Sequence, residues 1–397
     1  MFINFCVKNF LSLENEHCID FGITKSQHID DTSITINDSF INKIGSLVGP
    51  NASGKTNILK AFVAFTQFIE NSYLVHDIAI EPHFFHKKED IVFSTNFIED
   101  DGEQFNYSIT INQNKIIHEQ LRILNKKTKF YNNVFVRKGN NVDSDVIKIN
   151  DLDKGRLGDM VSAFSFFQKL NYFTKAKIQI TSFCHILTNV DISSVIKSPI
   201  PQIVFLDQLA KELEKRPDLL AKVVDEVKNV DFGISNLKTV VLPTNPNLPP
   251  DKNMKLLMAT HEDGKNTTVL PLFLESSGTQ NYILLFGKIY DILRTGGILV
   301  ADELENSLHT DLVERILTLF IRKETNPHNA QILFSTHNAW FLRFLTKTQI
   351  FIVEKDAPQS TDIYRLDDIK EVRNDENYFL NYIAGAYDGK PKIKDLL

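Results

Sequence analysis

The stretch Gly49-Pro50-Asn51-Ala52-Ser53-Gly54-Lys55-Thr56 constrains this chain more than any other. It fits G-x-x-x-x-G-K-[ST], and its surroundings suit the chemistry of that pattern. The apolar run Ile44–Val48 reads as a strand leading into it. After it, Ile58, Leu59, Phe62, Val63, Phe65 and Phe68 recur at helical spacing. Glycines at such a loop let backbone N–H groups close around a phosphate, where a Cβ would block the approach. The following helix N-terminus adds partial positive charge and unpaired donors. Lys55 is expected to reach the β- and γ-phosphates of a nucleotide, and the Thr56 hydroxyl to coordinate Mg²⁺.

A second feature lies far downstream. Gly297-Ile298-Leu299-Val300-Ala301-Asp302-Glu303 is an apolar strand that ends in two carboxylates. Taken alone it reads equally as an acidic strand end opening a turn. Paired with the phosphate loop, Asp302 is expected to hold Mg²⁺ through water and Glu303 to orient or deprotonate a water molecule. Ser276-Ser277-Gly278-Thr279-Gln280 heads an amphipathic segment, either as a plain N-cap or as a set of donors for an anion. The run Gln331–Thr336 ends at His337 and is expected beside the Asp302 strand in a parallel sheet. There His337 would contact a γ-phosphate or satisfy local hydrogen bonds.

Elsewhere the pattern is mixed. Phe2–Val7 and Cys18–Phe21 read as strands, and residues 91–136 as an antiparallel meander of IVFSTNFI, FNYSITIN, KIIHEQLRIL and KFYNNVFVR. Residues 158–232 are mainly helical in pattern, with Pro217 placed to break or restart a helix. Leu242–Asp251 reads as a proline-rich surface loop. From Lys255 the runs KLLMATH, GILVAD, QILFST and QIFIVEK alternate with helical segments, as in a parallel, helix-covered sheet. The expected division is 1–154 and 241–397 as two parts of one head, with 155–240 inserted as a helical unit.

Composition narrows the functional classes. At 397 residues, with 43% hydrophobic and 24% charged, the chain is long and apolar enough to bury a substantial core. Its net charge of −6 supplies no global field toward nucleic acid or an anionic membrane. The basic runs Lys126–Lys129 and Lys390–Lys394 read as solvated surface. The 3 cysteines (Cys6, Cys18, Cys184) include no C-x-x-C pair, so neither a disulfide framework nor a zinc site is expected. That usage suits a reducing compartment. With no secretory n-region or cleavage site and no run of 18 apolar residues, a cytoplasmic protein without a membrane partner is expected. His83 and His86 (HFFH) have no ligand set around them and read as core or surface histidines.

The order of these pieces resembles the ABC-type ATPases. GPNASGKT is similar to a Walker A loop, SSGTQ to a signature, ILVADE to a Walker B strand, and Asn306-Ser307-Leu308-His309 to a D-loop. STHN is similar to a switch histidine. The opening FCVKNFLSLENEHCIDF resembles the RecF and SMC branch, and the tail YIAGAYDGKP the stand-alone bacterial ATPases of the AbiL and RloA abortive-infection type. More distant relatives in this reading are the ATPase subunits of PARIS, Septu, retron and OLD systems.

The resemblance implies an α/β fold: an ABC-type P-loop NTPase head whose mixed sheet is flanked by helices, with an antiparallel β subdomain and an inserted helical subdomain. It implies ATP and Mg²⁺ as cofactors. Gly49, Pro50, Asn51, Ala52, Ser53, Gly54, Lys55, Thr56 and Asn57 would bind phosphate, with Thr56 and Asp302 on the metal. Glu303 would act as base, His337 would sense the γ-phosphate, and Asn9 would flank the nucleotide. Ser277 and Gly278 would complete the site of a facing subunit, so a homodimer or higher oligomer bridged by ATP is expected. Thr279 stands where the usual signature has a second glycine, and no Q-loop glutamine can be assigned. Without a long coiled coil or room for a TOPRIM nuclease, nuclease or toxin chemistry would come from a separate effector in anti-phage defence. The alternative is a RecF- or SMC-like DNA-maintenance ATPase that binds nucleic acid directly.

Overall fold

The structure, a computed structural model, describes residues 1–27, 32–74, 80–99, 101–144, 146–148, 157–170, 186–188, 202–230, 233–242, 253–357 and 360–389. Ile44–Val48 is buried at every position, as a strand covered on both faces must be. It lies inside a six-stranded sheet ordered Ile186–Thr188, Ile298–Ala301, Gln331–Thr336, Ile44–Val48, Ile350–Ala357, Ser360–Arg365. Its first five strands are parallel and the last is antiparallel. Side chains alternate between two cores: Ile298 and Val300 face one, Leu299 and Ala301 the other.

Helix Lys55–Asn71 leaves the end of Ile44–Val48 and fills the space between this sheet and a second one. The second sheet has seven strands in the order Asn141–Asp143, Tyr131–Lys138, Lys115–Leu124, Gln104–Asn112, Ile91–Ile98, Phe2–Lys8, His17–Asp20. All of its neighbours are antiparallel. The burial pattern of Gln104–Asn112 alternates residue by residue, so one face of this sheet meets the helix. Phenylalanines make that junction, with Phe2 and Phe5 edge-on to Phe62 at centroid distances of 4.7 and 4.8 Å. Aromatic pairs in this geometry add about 0.5–1.5 kcal/mol each beyond the area they bury. The meander thus follows the alternation read from sequence.

Glu119, fully buried in the meander, ties helix Ala163–Lys169 to it. Its carboxylate accepts from Tyr107 Oη at 2.8 Å, Ser162 Oγ at 2.7 Å, and the N–H groups of Ala163 and Phe164 at 2.8 and 3.0 Å. Arg137, also fully buried, stands 3.7 Å from the same carboxylate. An anion at the first turn of a helix meets its unpaired N–H groups and favourable dipole.

Three differences from the sequence reading have physical causes. KLLMATH lies within Met254–Glu262, which leaves the parallel sheet and pairs antiparallel with Ile234–Leu242 and Thr267–Pro271. Alternation with helices is a local signal, whereas strand partnership is decided by long-range packing. Helices Gln202–Lys215 and Pro217–Asn229 cover this small sheet and meet the helix Ser277–Thr295. The break between them falls at Arg216, with Pro217 in the first helical turn. Cys6 and Cys18 form a disulfide, contrary to the reading of their spacing. They are partners in the register of Phe2–Lys8 with His17–Asp20, and adjacent strands bring together residues that no local motif pairs. The proline-rich segment 243–250, Cys184, the basic tail 390–394 and most of 171–201 lie outside the described residues. No helix among the described residues is long and apolar enough to cross a membrane.

Candidate nucleotide site

The parallel strands deliver three of the predicted pieces to one edge of the central sheet. Residues 49–54 link the Ile44–Val48 strand to the helix Lys55–Asn71. A Cβ on Gly49 would fall on the carbonyl of Val353 in the neighbouring strand, so only glycine fits. Ala52 and Gly54 have φ of 62° and 115°. Left-handed residues in such a loop turn successive N–H groups toward a common centre, which is how a nest holds an anion. Ser53 Oγ is buried there without a hydrogen-bond partner.

Lys55 folds back over the loop and donates to the carbonyls of Gly49 at 2.7 Å and Pro50 at 2.9 Å. Burial pushes its ammonium below the ordinary lysine range, and the carboxylates of Asp302, Glu303 and Glu305 pull it back up. Thr56 Oγ1 donates to Asp302 Oδ2 at 2.8 Å. Asp302 is also held by the Ser335 hydroxyl through its other oxygen. Ser335 Oγ accepts from Glu303 N at 2.8 Å, fixing the start of the turn in which Glu303, with φ of 45°, projects to solvent. His337 follows the adjacent strand, with its side chain 53% exposed. A cavity of about 790 Å³ lies beside the first residues of the loop, between Gly49, Pro50 and Asn51, the pair Glu305 and His337, and Tyr382 of the C-terminal helix; Lys55, Thr56, Asp302 and Glu303 do not line it.

The remaining predicted residues fall elsewhere or act differently. Ser277 opens the helix Ser277–Thr295, capped by Ser276, whose Oγ accepts from Thr279 N at 3.1 Å. A Cβ on Gly278 would lie 2.5 Å from the carbonyl of Ser307, so this glycine packs on the turn after Glu303. Gln280 turns back on its own chain and donates to the carbonyls of Phe273 and Glu275 at 3.1 and 2.7 Å. Asn9 is fully buried: its amide donates to His86 O at 3.1 Å and Glu89 O at 3.0 Å, and its oxygen accepts from His83 N at 3.0 Å. Those bonds commit Asn9 to the loop 83–89 instead of a nucleotide. The same β-turn reaches the phosphate loop through another residue, Ser12, which accepts from Asn57 Nδ2 at 2.8 Å.

Sequence reasoning missed Ser12 together with Thr361, Ser335 and Glu305. Thr361 lies under the loop, donating from Oγ1 to Ser53 O at 2.9 Å and from N to Ser12 O at 2.8 Å. Nothing in the local sequence marks Ser12 or Thr361. Ser335, a hydroxyl at the end of the apolar strand Gln331–Thr336, carried some signal inside STHN, whereas Glu305 lies in the turn after Ile298–Ala301 and is marked only by following the two carboxylates in ADELEN.

The profile of one protein family, described as "AAA domain, putative AbiEii toxin, Type IV TA system", matches residues 46–343. The chain belongs to that family. The matched span of this AAA-family member begins within the strand before the phosphate loop and includes Asp302, Glu303 and His337. Its architecture is mixed α/β, a P-loop NTPase sheet with an antiparallel sheet stacked across the first helix. Among solved structures, the SMC head bound to the C-winged helix domain of ScpA is 13% identical, covers 94% of this chain and 99% of its own, and has a TM-score of 0.45. The SMC head domain from Thermotoga maritima is 13% identical over 92% of this chain and 98% of its own, with a TM-score of 0.39. The recombination mediator RecF with ATP is 12% identical over 85% and 93%, with a TM-score of 0.38. No curated protein matches this AAA-family member.

Proposed function

We propose that the chain binds ATP with Mg²⁺ and hydrolyses it, using Glu303 as the base. The observation that carries this reading is the junction of Thr56 with Asp302, which joins the phosphate loop to the acidic strand end at 2.8 Å. The residues present fit the ligand. Ser53 Oγ has no partner among the described residues, Gly49 leaves no room for a side chain, and Thr56 and Asp302 offer hard oxygen donors of the kind Mg²⁺ takes. When bound, Mg²⁺ would neutralise charge on the phosphate oxygens.

This chain's own groups would do the rest. The Lys55 ammonium exchanges the carbonyls of Gly49 and Pro50 for phosphate oxygens, a stronger, charge-assisted bond. Asp302, fixed through Ser335, accepts from Thr56 and would offer its oxygens to the metal. Glu303, solvent-exposed in the turn after the strand, takes the proton of an attacking water. His337 borders the cavity beside the loop and donates to the terminal phosphate. Gly278 packs on Ser307, in the turn after Glu303, and Ser277 opens the helix capped by Ser276; in the proposed dimer these two residues act on the phosphate loop of a second copy.

Nucleotide binding would then close a dimer and control a separate effector, a nuclease or toxin of a defence system. The toxin–antitoxin wording of the family description supports this reading. The test isolates Glu303→Gln from its host with ATP and Mg²⁺ and identifies what accompanies it. A stoichiometric protein supports effector control. Nucleic acid without protein favours direct DNA maintenance, and unaltered ATP binding by Lys55→Ala removes the nucleotide reading.

A further inference from the structure

The turn after Glu303 carries a third carboxylate, Glu305, which the reaction above does not use. Its side chain is only 9% exposed. One oxygen, Oε1, gathers the whole start of the loop after Gln331–Thr336: Thr336 Oγ1 donates at 2.7 Å, His337 N at 2.9 Å and Asn338 N at 3.3 Å. His337 Nδ1 lies 3.2 Å from that same oxygen. The turn bearing Glu305 is fixed in its own right, by Leu304 N to Ser335 O at 3.2 Å, Asn306 N to Glu303 O at 2.7 Å and Leu308 N to Glu305 O at 2.9 Å.

The imidazole of His337 is half exposed, so packing does not set its direction. Its backbone and the carboxylate beside it do: His337 N donates to Glu305 Oε1, and Asn338 N is shared between that oxygen and Thr336 Oγ1, at 3.0 Å, which itself donates to Glu305. Bonds from N–H or O–H groups to a carboxylate are roughly twice as strong as neutral ones. The other oxygen, Oε2, is buried with no hydrogen-bond partner, an expensive state for a charged group. Glu305 also borders the cavity together with Gly49, Asn51 and His337.

We propose that Glu305 is a positioning residue: it holds His337 toward the phosphate cavity and makes the acidic turn and the histidine loop move as one body. Within this proposal, which rests on the nucleotide reading of the cavity, a shift of Ser307 in the same turn is carried to His337 without contact between them.

The experiment compares Glu305→Ala, Glu305→Gln, His337→Ala and the double Glu305→Ala/His337→Ala variant. Loss of the tether lowers kcat by about 10- to 100-fold in Glu305→Ala, with KM for ATP little changed. Glu305→Gln recovers most of that rate, because an amide oxygen still accepts from Thr336, His337 and Asn338. The double variant is no slower than His337→Ala, as expected when one residue acts through the other. In the free protein, the amide hydrogens of residues 337 and 338 exchange with deuterium faster in Glu305→Ala than in wild type or Glu305→Gln. Multiplying losses in the double variant, or unchanged exchange in Glu305→Ala, overturns the proposal. A wild-type protein that hydrolyses no ATP removes the enzymatic reading instead, and exchange alone then decides the role of Glu305.

Discussion

Thr56 and Asp302 stand 246 positions apart in the chain, yet the hydroxyl of one donates to the carboxylate of the other at 2.8 Å. Asn at position 302 would keep one oxygen for that bond and lose both the charge and the oxygen that accepts from Ser335. Asp302→Asn is therefore expected to fold with a loss of about 1–3 kcal/mol at most, while phosphate release from ATP falls by about 10- to 100-fold. It also removes one of the carboxylates that raise the Lys55 ammonium, which burial alone pushes down. Parallel measurement of thermal denaturation and steady-state hydrolysis checks both halves. A large loss of stability would contradict the assignment of Asp302 to chemistry.

Gly49 leaves no space between the phosphate loop and Val353. Gly49→Ala must push the loop away from strand Ile350–Ala357 or displace that strand, an overpacking expected to destabilise by about 1–3 kcal/mol. Urea denaturation measures it, and ATP affinity should fall in the same variant because the loop has moved.

Both predictions draw on what the sequence made legible. The phosphate loop, the strand ending at Asp302 and the strand ending at His337 are local patterns, each with its own periodicity, and each appears where its residues indicated. The four strands of the meander were readable for the same reason. What escaped was anything created by the meeting of distant segments. Ser12 and Thr361 acquire their roles only when the first hairpin and the last strand of the central sheet close on the loop. The Cys6–Cys18 bond depends on strand register, and the departure of Met254–Glu262 to a separate sheet depends on competition between edges. The bonds of Asn9, expected beside the nucleotide, to His83, His86 and Glu89 likewise arise only where the first hairpin meets a distant loop.

Glu119 offers a test of the meander that is independent of the nucleotide site. Its removal leaves Arg137, fully buried, without its carboxylate and the first N–H groups of helix Ala163–Lys169 without an acceptor. Glu119→Ala is expected to lose about 3–5 kcal/mol in chemical denaturation. Glu119→Gln should lose less, since an amide oxygen still accepts from Ser162, Ala163 and Phe164.

The C-terminal segment should show its own pH dependence. Tyr382 donates to Gly389 O at 2.6 Å and Tyr387 to Glu376 Oε2 at 2.9 Å, and burial pushes both phenols from the ordinary 10.0 up to about 12. A group whose pKa is higher when folded holds its proton more tightly in that state. The stability from these two phenols is therefore complete below pH 10 and drains away as pH rises toward 12. The thermal midpoint should fall across that window, and the fall should be smaller in Tyr382→Phe/Tyr387→Phe. A fall of equal size in the double variant would locate the effect in other tyrosines.

The brace beneath the phosphate loop has one more implication. Val353 and Thr361, which back onto Gly49 and Gly54, come after residue 343, where the family match ends. A chain shortened to that boundary would retain the phosphate loop, Asp302, Glu303 and His337 and lose the floor on which the first of them rests. The unit that evolution's pattern marks out and the unit that must fold cooperatively are therefore different lengths, and the longer one sets where this protein can be cut, fused or transplanted.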